Sequence, residues 1–186
     1  MRYYVQLNMW LTIHLSYVRI LIMKYKIKIN NKTTFILGAI LGIVSKLLDI
    51  NEFNTGLGNT FSEISIWILL GVIITLISKT KKDSMLNVFL FNIGMIFTYY
   101  VTAEITNSIY GVSYIKYWTK VALISPFLSF IVYQVKRKDY LGKLISILII
   151  VSTIYIILRF GGPRYYDFII LFILIYLLYK ERRNVL

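Results

Sequence analysis

The chain contains no cysteine, a single histidine (His14) and two prolines among its 186 residues. Without cysteine it cannot be a disulfide-stapled secreted module, and one histidine cannot supply a zinc site of the usual His and Cys ligands or a His–His proton relay. The motifs H-E-x-x-H and G-x-S-x-G are also absent. We therefore expect no catalytic residue, no metal, no cofactor and no enzymatic activity.

Charged residues are scarce as well. Asp, Glu, Lys and Arg make up 16% of the chain, whereas about a quarter is usual in soluble domains. Hydrophobic residues make up 58%, and the mean hydropathy is +0.71. A water-soluble fold of this composition would expose large apolar patches. The composition excludes a soluble enzyme and a disordered chain, and it predicts a small membrane protein of one domain.

Acidic residues are the scarcest charged type, with eight Asp and Glu against 21 Lys and Arg and a net charge of +13. A strongly basic chain can indicate nucleic-acid binding, but these basic residues form no amphipathic stripe and no nucleic-acid motif. They occur in short clusters between apolar runs, as orientation signals do in membrane proteins. We expect the lipid bilayer as a partner, and no nucleic acid.

Six apolar stretches approach the roughly 20 residues that a helix needs to cross the bilayer core. They lack the strict period-two alternation of barrel strands. The sequence therefore predicts an all-α polytopic bundle of six transmembrane helices in residues 34–180, between a basic N-terminal segment, 1–33, and a basic tail, 181–186. The predicted spans are Thr34–Ile50, Phe61–Ser78, Met85–Ile105, Tyr117–Val135, Gly142–Phe160 and Tyr165–Tyr179.

The loops alternate in charge. The side that holds the N-terminal segment, the second–third and fourth–fifth loops and the tail carries 16 Lys and Arg and three acids. The other side carries five basic and five acidic residues. Because basic loops stay in the cytoplasm, we predict a multi-pass protein of the cell (plasma) membrane with both termini cytoplasmic.

The first 22 residues allow two interpretations. Met1–Ile22 contains Arg2 and Arg19 among its apolar residues, so it is too polar to span, and it lacks the small-residue cleavage site of a signal peptide. It is either an interfacial amphipathic helix or a stretch upstream of a translation start at Met23.

Seven ionisable residues lie within or at the ends of the predicted spans, all on the extracytoplasmic side. Lys46 and Asp49 are spaced i,i+3 and share a helix face, and Lys120 falls in the first turn of the fourth predicted span. These residues either line a polar outer cavity that binds a small-molecule solute or form interfacial ion pairs that hold helix ends together. The seven candidates are Lys46, Asp49, Glu63, Glu104, Lys120, Arg159 and Asp167.

Other residues bear on helix packing and membrane position. Gly38-x-x-x-Gly42 allows a neighbouring helix to approach closely, and Pro126 predicts a kink because it removes a backbone hydrogen bond. Aromatic residues cluster near the predicted interfaces, which is typical of a membrane aromatic belt. The outer group is Tyr99, Tyr100, Tyr114, Tyr117, Trp118, Tyr165 and Tyr166, and the inner group is Tyr133, Tyr140 and Tyr179.

Several runs resemble a family of small polytopic membrane proteins from low-GC Gram-positive bacteria that has no assigned function. The resemblance extends over Thr34–Tyr179, and the Ile-, Lys- and Asn-rich composition agrees with such a source. It implies a membrane-embedded helical fold and no particular activity. The runs that carry it are Gly38–Asp49, Gly58–Gly71, Phe97–Tyr100, Tyr117-Trp118 and Ser125-Pro126.

The predicted architecture is also similar to the substrate-binding subunits of energy-coupling-factor vitamin transporters. In that family, small residues of the first helix, typically Ala-x-x-x-Ala, dock on a coupling subunit. Here Gly38-x-x-x-Gly42 takes that place, and no vitamin-specific motif is present. This resemblance implies solute binding or transport with another membrane subunit as partner. No P-loop motif occurs, so ATP would have to be used by another chain. The competing hypothesis is an accessory, regulatory or immunity-type membrane partner that acts by helix–helix contact.

Overall fold

The computed structural model describes residues 29–50, 63–137, 139–159 and 162–183, which form six α-helices, one 3₁₀ turn and no strand. The all-helical prediction is confirmed. Met1–Ile22, with its two interpretations, lies outside the described residues. The helices are α1 (Asn31–Ile50), α2 (Ile64–Ile77), α3 (Lys81–Ile105), α4 (Val112–Tyr133), α5 (Tyr140–Arg159) and α6 (Tyr165–Arg183), and the 3₁₀ turn is Gln134–Lys136.

Polar caps start two helices earlier than the apolar runs predict. Before α1, the backbone N–H of Thr33 donates to Oδ1 of Asn30, and the N–H of Asn30 donates to Oγ1 of Thr33, both at 2.9 Å. Before α3, Thr80 accepts from the N–H of Asp83 at 3.0 Å. These reciprocal and side-chain caps satisfy N–H groups that the first turn leaves unpaired.

The start of α4 also differs from the prediction. It begins at Val112, earlier than the predicted Tyr117, so Lys120 lies in the third turn and its predicted first-turn position is wrong. Hydropathy placed the start too late, because Val112–Lys116 is helical but partly polar and so does not belong to the apolar run. At the other end of the chain, α6 continues through its basic residues to Arg183.

Four of the described helices are long and apolar enough to cross a membrane: α1, α3, α4 with its 3₁₀ extension, and α5. Helix α2 is apolar but has 14 residues, and the last turn of α6 is charged. The outer faces are mostly apolar, as Phe127 (67% exposed) and Val151 (56%) illustrate, whereas Thr75 and Thr153 are fully buried. This distribution, apolar outside with hydroxyls inside, suits lipid as the surrounding solvent.

Helices α1 and α3 pack backbone to backbone. A Cβ built on Gly38 would lie 2.1 Å from the carbonyl oxygen of Phe91, one on Gly42 would lie 2.3 Å from that of Met95, and one on Gly94 would lie 2.6 Å from a backbone carbonyl of α1. Gly38 contacts Phe91 and Gly42, four residues later, contacts Met95, so α1 and α3 run in the same direction.

Helix α4 runs parallel to α2. The rings of Trp67 and Trp118 stack near the start of both helices, and the hydroxyls of Thr75 and Ser129 are 2.8 Å apart further along. Helix α4 is continuous through Pro126. The carbonyl of Ala122, which loses its helical N–H partner to that proline, instead accepts the hydroxyl of Ser125 at 2.8 Å.

Helix α6 also runs parallel to α2. At its first turn, Asp167 accepts the hydroxyl of Ser65 at 3.0 Å, and at its other end Glu181 interacts electrostatically with Lys136. Since α3 follows α2 after a short turn and α5 follows α4 in the same way, the six described helices alternate in direction.

The alternation gives the bundle two chemically different ends. One, here called the basic end, includes Lys79, Lys81, Lys82, Lys136 and Arg137. There, Asp139 accepts from the N–H of Gly142 at the start of α5, and its hydrogen bond with Arg137 lowers the pKa of the Asp139 carboxyl. The other, here called the acidic end, includes Asp49, Glu63, Glu104 and Asp167.

Helix α2 occupies the centre of the bundle. It contacts α3, α4, α5 and α6, and of its residues only Ile77 is exposed. Its apolar side chains pack with those of α6 around Leu174 and Leu178, which are 0% and 1% exposed. Four helices therefore pack around α2 and leave most of its side chains partly or fully buried.

The α1–α3 contact yields a stability prediction. Gly42→Ala places a methyl group against the Met95 carbonyl and the Thr98 hydroxyl, both 2.3 Å away, and should destabilise the protein by about 1–3 kcal/mol. Gly71→Ala is the matched control, because its nearest neighbour is 4.0 Å away. It should be neutral or slightly stabilising, since alanine is the better helix former. Thermal melts in detergent measure both, and equal melting temperatures for the two variants would contradict the close packing.

Candidate functional site

A cavity of about 900 Å³ lies at the acidic end, among the last turns of α1 and α3 and the first turns of α2 and α4. Helix lengths explain it. At about 1.5 Å per residue, the 14 residues of α2 span roughly 21 Å and the 25 residues of α3 roughly 38 Å, so the outer helices extend beyond the central one. The described residues that line the cavity are Asp49, Glu63, Ile64, Trp67, Met95, Ile96, Tyr99, Tyr100, Ile109, Tyr110, Gly111, Ser113, Tyr114, Tyr117 and Trp118.

Aromatic rings form much of the cavity wall: seven of its 15 lining residues are Tyr or Trp. The rings of Trp67 on α2 and Trp118 on α4 stack with centroids 4.5 Å apart and an interplanar angle of 19°. Tyr117 packs edge-on against Trp118 at 5.3 Å. Stacked and edge-to-face pairs are the arrangements that aromatic quadrupoles favour, so this wall is a mutually supported set of rings.

The opposite wall carries tyrosines of α3 and of the segment that follows it. Tyr100 packs edge-on against Tyr99 at 5.2 Å and against Tyr110 at 5.4 Å. The hydroxyl of Tyr110 donates a hydrogen bond to Glu104. This bond ties the end of α3 to the segment that leads into α4, and so holds the rim of the cavity.

Lys46 and Asp49 form an ion pair at the end of α1. The Lys46 Nζ atom lies 3.0 Å from Oδ2 of Asp49, and the side chains are 3% and 32% exposed. The hydroxyl of Tyr99 donates to the same oxygen at 2.8 Å, and Lys46 Nζ lies 5.1 Å from the centre of the Tyr99 ring. The ammonium is thus buried behind the carboxylate, and the carboxylate faces the cavity.

Glu63 has a similar arrangement at the start of α2. Its carboxylate binds the guanidinium of Arg164, which also donates to the hydroxyl of Tyr166. The hydrogen bond with Tyr166, followed by that with Glu63, raises the pKa of Arg164 above its ordinary value. Arg164 therefore stays protonated and holds Glu63 in place at the cavity wall.

Asp167 is buried beside this pair, at 5% exposure. Its Oδ1 accepts the hydroxyl of Ser65, and its Oδ2 accepts the backbone N–H of Arg164, both at 3.0 Å. A carboxylate at a helix N-terminus is further stabilised by the helix dipole. Asp167 therefore joins the starts of α2 and α6 and does not line the cavity.

The structure brings some of the seven predicted residues together and separates others. Asp49 and Glu63 line the cavity, Lys46 lies behind Asp49, and Glu104 stands at the rim through Tyr110. Lys120 and Arg159 are exposed residues outside the cavity lining.

Sequence reasoning missed the aromatic lining and one ion-pair partner. Five of the residues assigned to the outer aromatic belt line the cavity, and Arg164, counted only as a loop cation, pairs with Glu63. One available signal was the spacing of Tyr114 and Trp118, which are four residues apart and so lie near one helix face.

Comparison with family models, curated proteins and solved structures found no match for this chain. The cavity and the residues around it are therefore the features from which a function can be inferred.

The Lys46–Asp49 pair yields an asymmetric prediction. Asp49→Asn leaves a buried ammonium without its counter-charge and should destabilise the protein by about 2–3 kcal/mol, less than a fully buried pair because Asp49 is partly exposed. Lys46→Met should lower the free energy of unfolding by less than about 1 kcal/mol, since water and the Tyr99 hydroxyl still donate hydrogen bonds to the carboxylate. The double variant should recover most of the loss. Thermal melts of the three variants in detergent measure these differences, and a near-neutral Asp49→Asn would contradict a buried pair.

Proposed function

We propose that this protein is a non-enzymatic, multi-pass protein of the plasma membrane that binds a small-molecule solute in the cavity at the acidic end and passes it across the membrane. In this proposal all six helices cross the bilayer, both termini are cytoplasmic, and the cavity opens to the extracytoplasmic side.

The alternating directions of the helices support this topology. Each loop at the basic end is rich in Lys and Arg, and basic loops remain cytoplasmic. The short α2 is no obstacle, because its neighbours shield it from lipid and its Ser78 terminus meets polar groups. The N–H of Ser78 bonds within α2, and its carbonyl accepts the ammonium of Lys136 at 2.7 Å.

The cavity is the observation that carries the binding proposal. Its volume of about 900 Å³ is in the range of small-molecule sites, which are mostly apolar with a few well-placed polar groups. Asp49 and Glu63 are each fixed by an ion pair, so they are already oriented before a solute arrives. Binding is favoured over catalysis because both carboxylates of the described lining are held in ion pairs and no described lining residue is a histidine or cysteine.

The covered glycine surface of α1 limits where another membrane subunit can dock, in the transport and the accessory-partner hypotheses alike. The glycine surface of α1, which the transporter resemblance assigns to docking, is covered by α3 at Gly38 and Gly42. A partner subunit would need another surface, such as the exposed apolar face of α4 or α5.

Cysteine labelling tests the orientation and the opening of the cavity, and the chain has no native cysteine to interfere. In intact cells, Ser113→Cys in the cavity lining should react with a membrane-impermeant maleimide. Lys82→Cys, exposed at the basic end, should react only after permeabilisation. The reverse pattern would overturn the topology, and an unreactive Ser113→Cys in both conditions would show that the cavity is closed.

Native mass spectrometry of the purified protein tests solute binding. We expect one bound small molecule per chain, lost in Trp118→Leu because that variant removes half of the stacked pair. Tyr155→Leu is the control, since Tyr155 is 65% exposed on α5 and outside the cavity. A stoichiometric second membrane protein without a small molecule would instead favour the accessory hypothesis.

A further inference from the structure

We infer that the cavity selects an organic cation, a solute with an alkylated ammonium group, and holds it between the aromatic walls with Asp49 and Glu63 as counter-charges. This inference rests on the proposed solute-binding function and names the class of solute.

The ring content favours a cation. The faces of Tyr and Trp are electron-rich and attract cations, most strongly where water is excluded. Rings from three helices line the cavity: Trp67 of α2 and Trp118 of α4 form one wall, and Tyr99 of α3 lies on the opposite wall. The structure already uses this attraction next to the cavity, where the Lys46 ammonium lies over the Tyr99 ring.

The placement of charge points the same way. Among the described lining residues there are two carboxylates and no lysine or arginine. Lys46 and Arg164, neither of which is among the described lining residues, pair with these carboxylates through one oxygen each: Oδ2 of Asp49 and Oε1 of Glu63. Among the described residues, none bonds to the second oxygen of either group. Each ion pair is therefore a dipole whose negative end faces the cavity.

Other ligand classes fit less well. A hard metal ion needs several oxygen ligands, and the described part of the chain has no group of three or more His, Cys, Asp or Glu that could hold one. An anion would be repelled by the two carboxylates, and no lysine or arginine among the described lining residues would compensate. A neutral apolar solute would desolvate both carboxylates without compensation. An alkylated ammonium group satisfies the rings and the carboxylates together.

Charged thiol reagents measure this preference directly. Purified Ser113→Cys protein is treated with the trimethylammonium-ethyl or the sulfonato-ethyl methanethiosulfonate, which differ mainly in charge. Each rate is divided by the rate with free 2-mercaptoethanol. We expect the cationic reagent to react about tenfold faster than the anionic one, a difference that a few ring and carboxylate contacts supply.

Ring-deleting variants provide the matched control. In the Ser113→Cys background, Tyr114→Leu with Tyr117→Leu removes two ring faces and should reduce the rate ratio severalfold. Tyr114→Phe with Tyr117→Phe keeps the rings and should leave it unchanged. Both residues are exposed, at 66% and 42%, so either pair should fold. Equal effects of the Leu and Phe pairs would overturn the role of the rings.

Protection of the cysteine by a bound solute completes the test, and it distinguishes a failure of the cation inference from a failure of the proposed function. Choline should slow the reaction of Ser113→Cys with N-ethylmaleimide, whereas its uncharged isostere 3,3-dimethyl-1-butanol should not. If both charged reagents modify the cysteine but the anionic one is as fast, or if the alcohol protects as well as choline, the cation inference is wrong while an open solute cavity remains. If neither reagent modifies the folded protein but both modify the denatured protein, the proposed function fails as well.

Discussion

The central position of α2, with four helices packed against it, is the constraint on which the rest of this structure depends. In lipid, a helix is stable because it satisfies its own backbone groups, and a central helix can be short when its neighbours surround it. At 14 residues, α2 leaves space at the acidic end that α3 and α4 enclose. At the basic end, it stops where Ser78 meets Asn87 and Lys136. The length of α2 therefore accounts for the space at the acidic end, and polar contacts at Ser78 fix its other end.

Close packing and hydroxyl pairs hold the helices together where lipid supplies little hydrophobic drive. Helix α1 packs on α3 through glycines, and the Thr98 hydroxyl bonds across the contact to the Ala39 carbonyl at 2.7 Å. Thr75 and Ser129 do the same between α2 and α4. These short polar contacts fix the positions of the helices along the bundle axis. Those positions determine which side chains meet at the cavity.

The ion pairs in this bundle have two roles: they hold carboxylates in place at the cavity, and they join helix ends. The sequence raised two interpretations for its outer charges, a solute cavity and interfacial pairs, and the arrangement has features of both. Lys46 with Asp49 could be predicted, since their i,i+3 spacing brings them together within one helix. Glu63 with Arg164 could not, because the partners are about a hundred residues apart and meet only when α6 packs beside α2. Lys120 and Arg159 were candidates for the same reason, since they also lie within or at the end of a predicted span, but they are outside the described cavity lining.

The sequence by itself determined the helical class, the approximate helix positions, the charge difference between the two ends and the glycine face of α1. These follow from hydropathy, residue type and local spacing, which act within a few turns of one chain segment. Only the tertiary structure decided that the belt tyrosines turn inward as cavity walls, that Arg164 secures Glu63 and that α2 is central. Those features depend on the relative heights and rotations of separate helices, which are set by contacts between residues far apart in the chain.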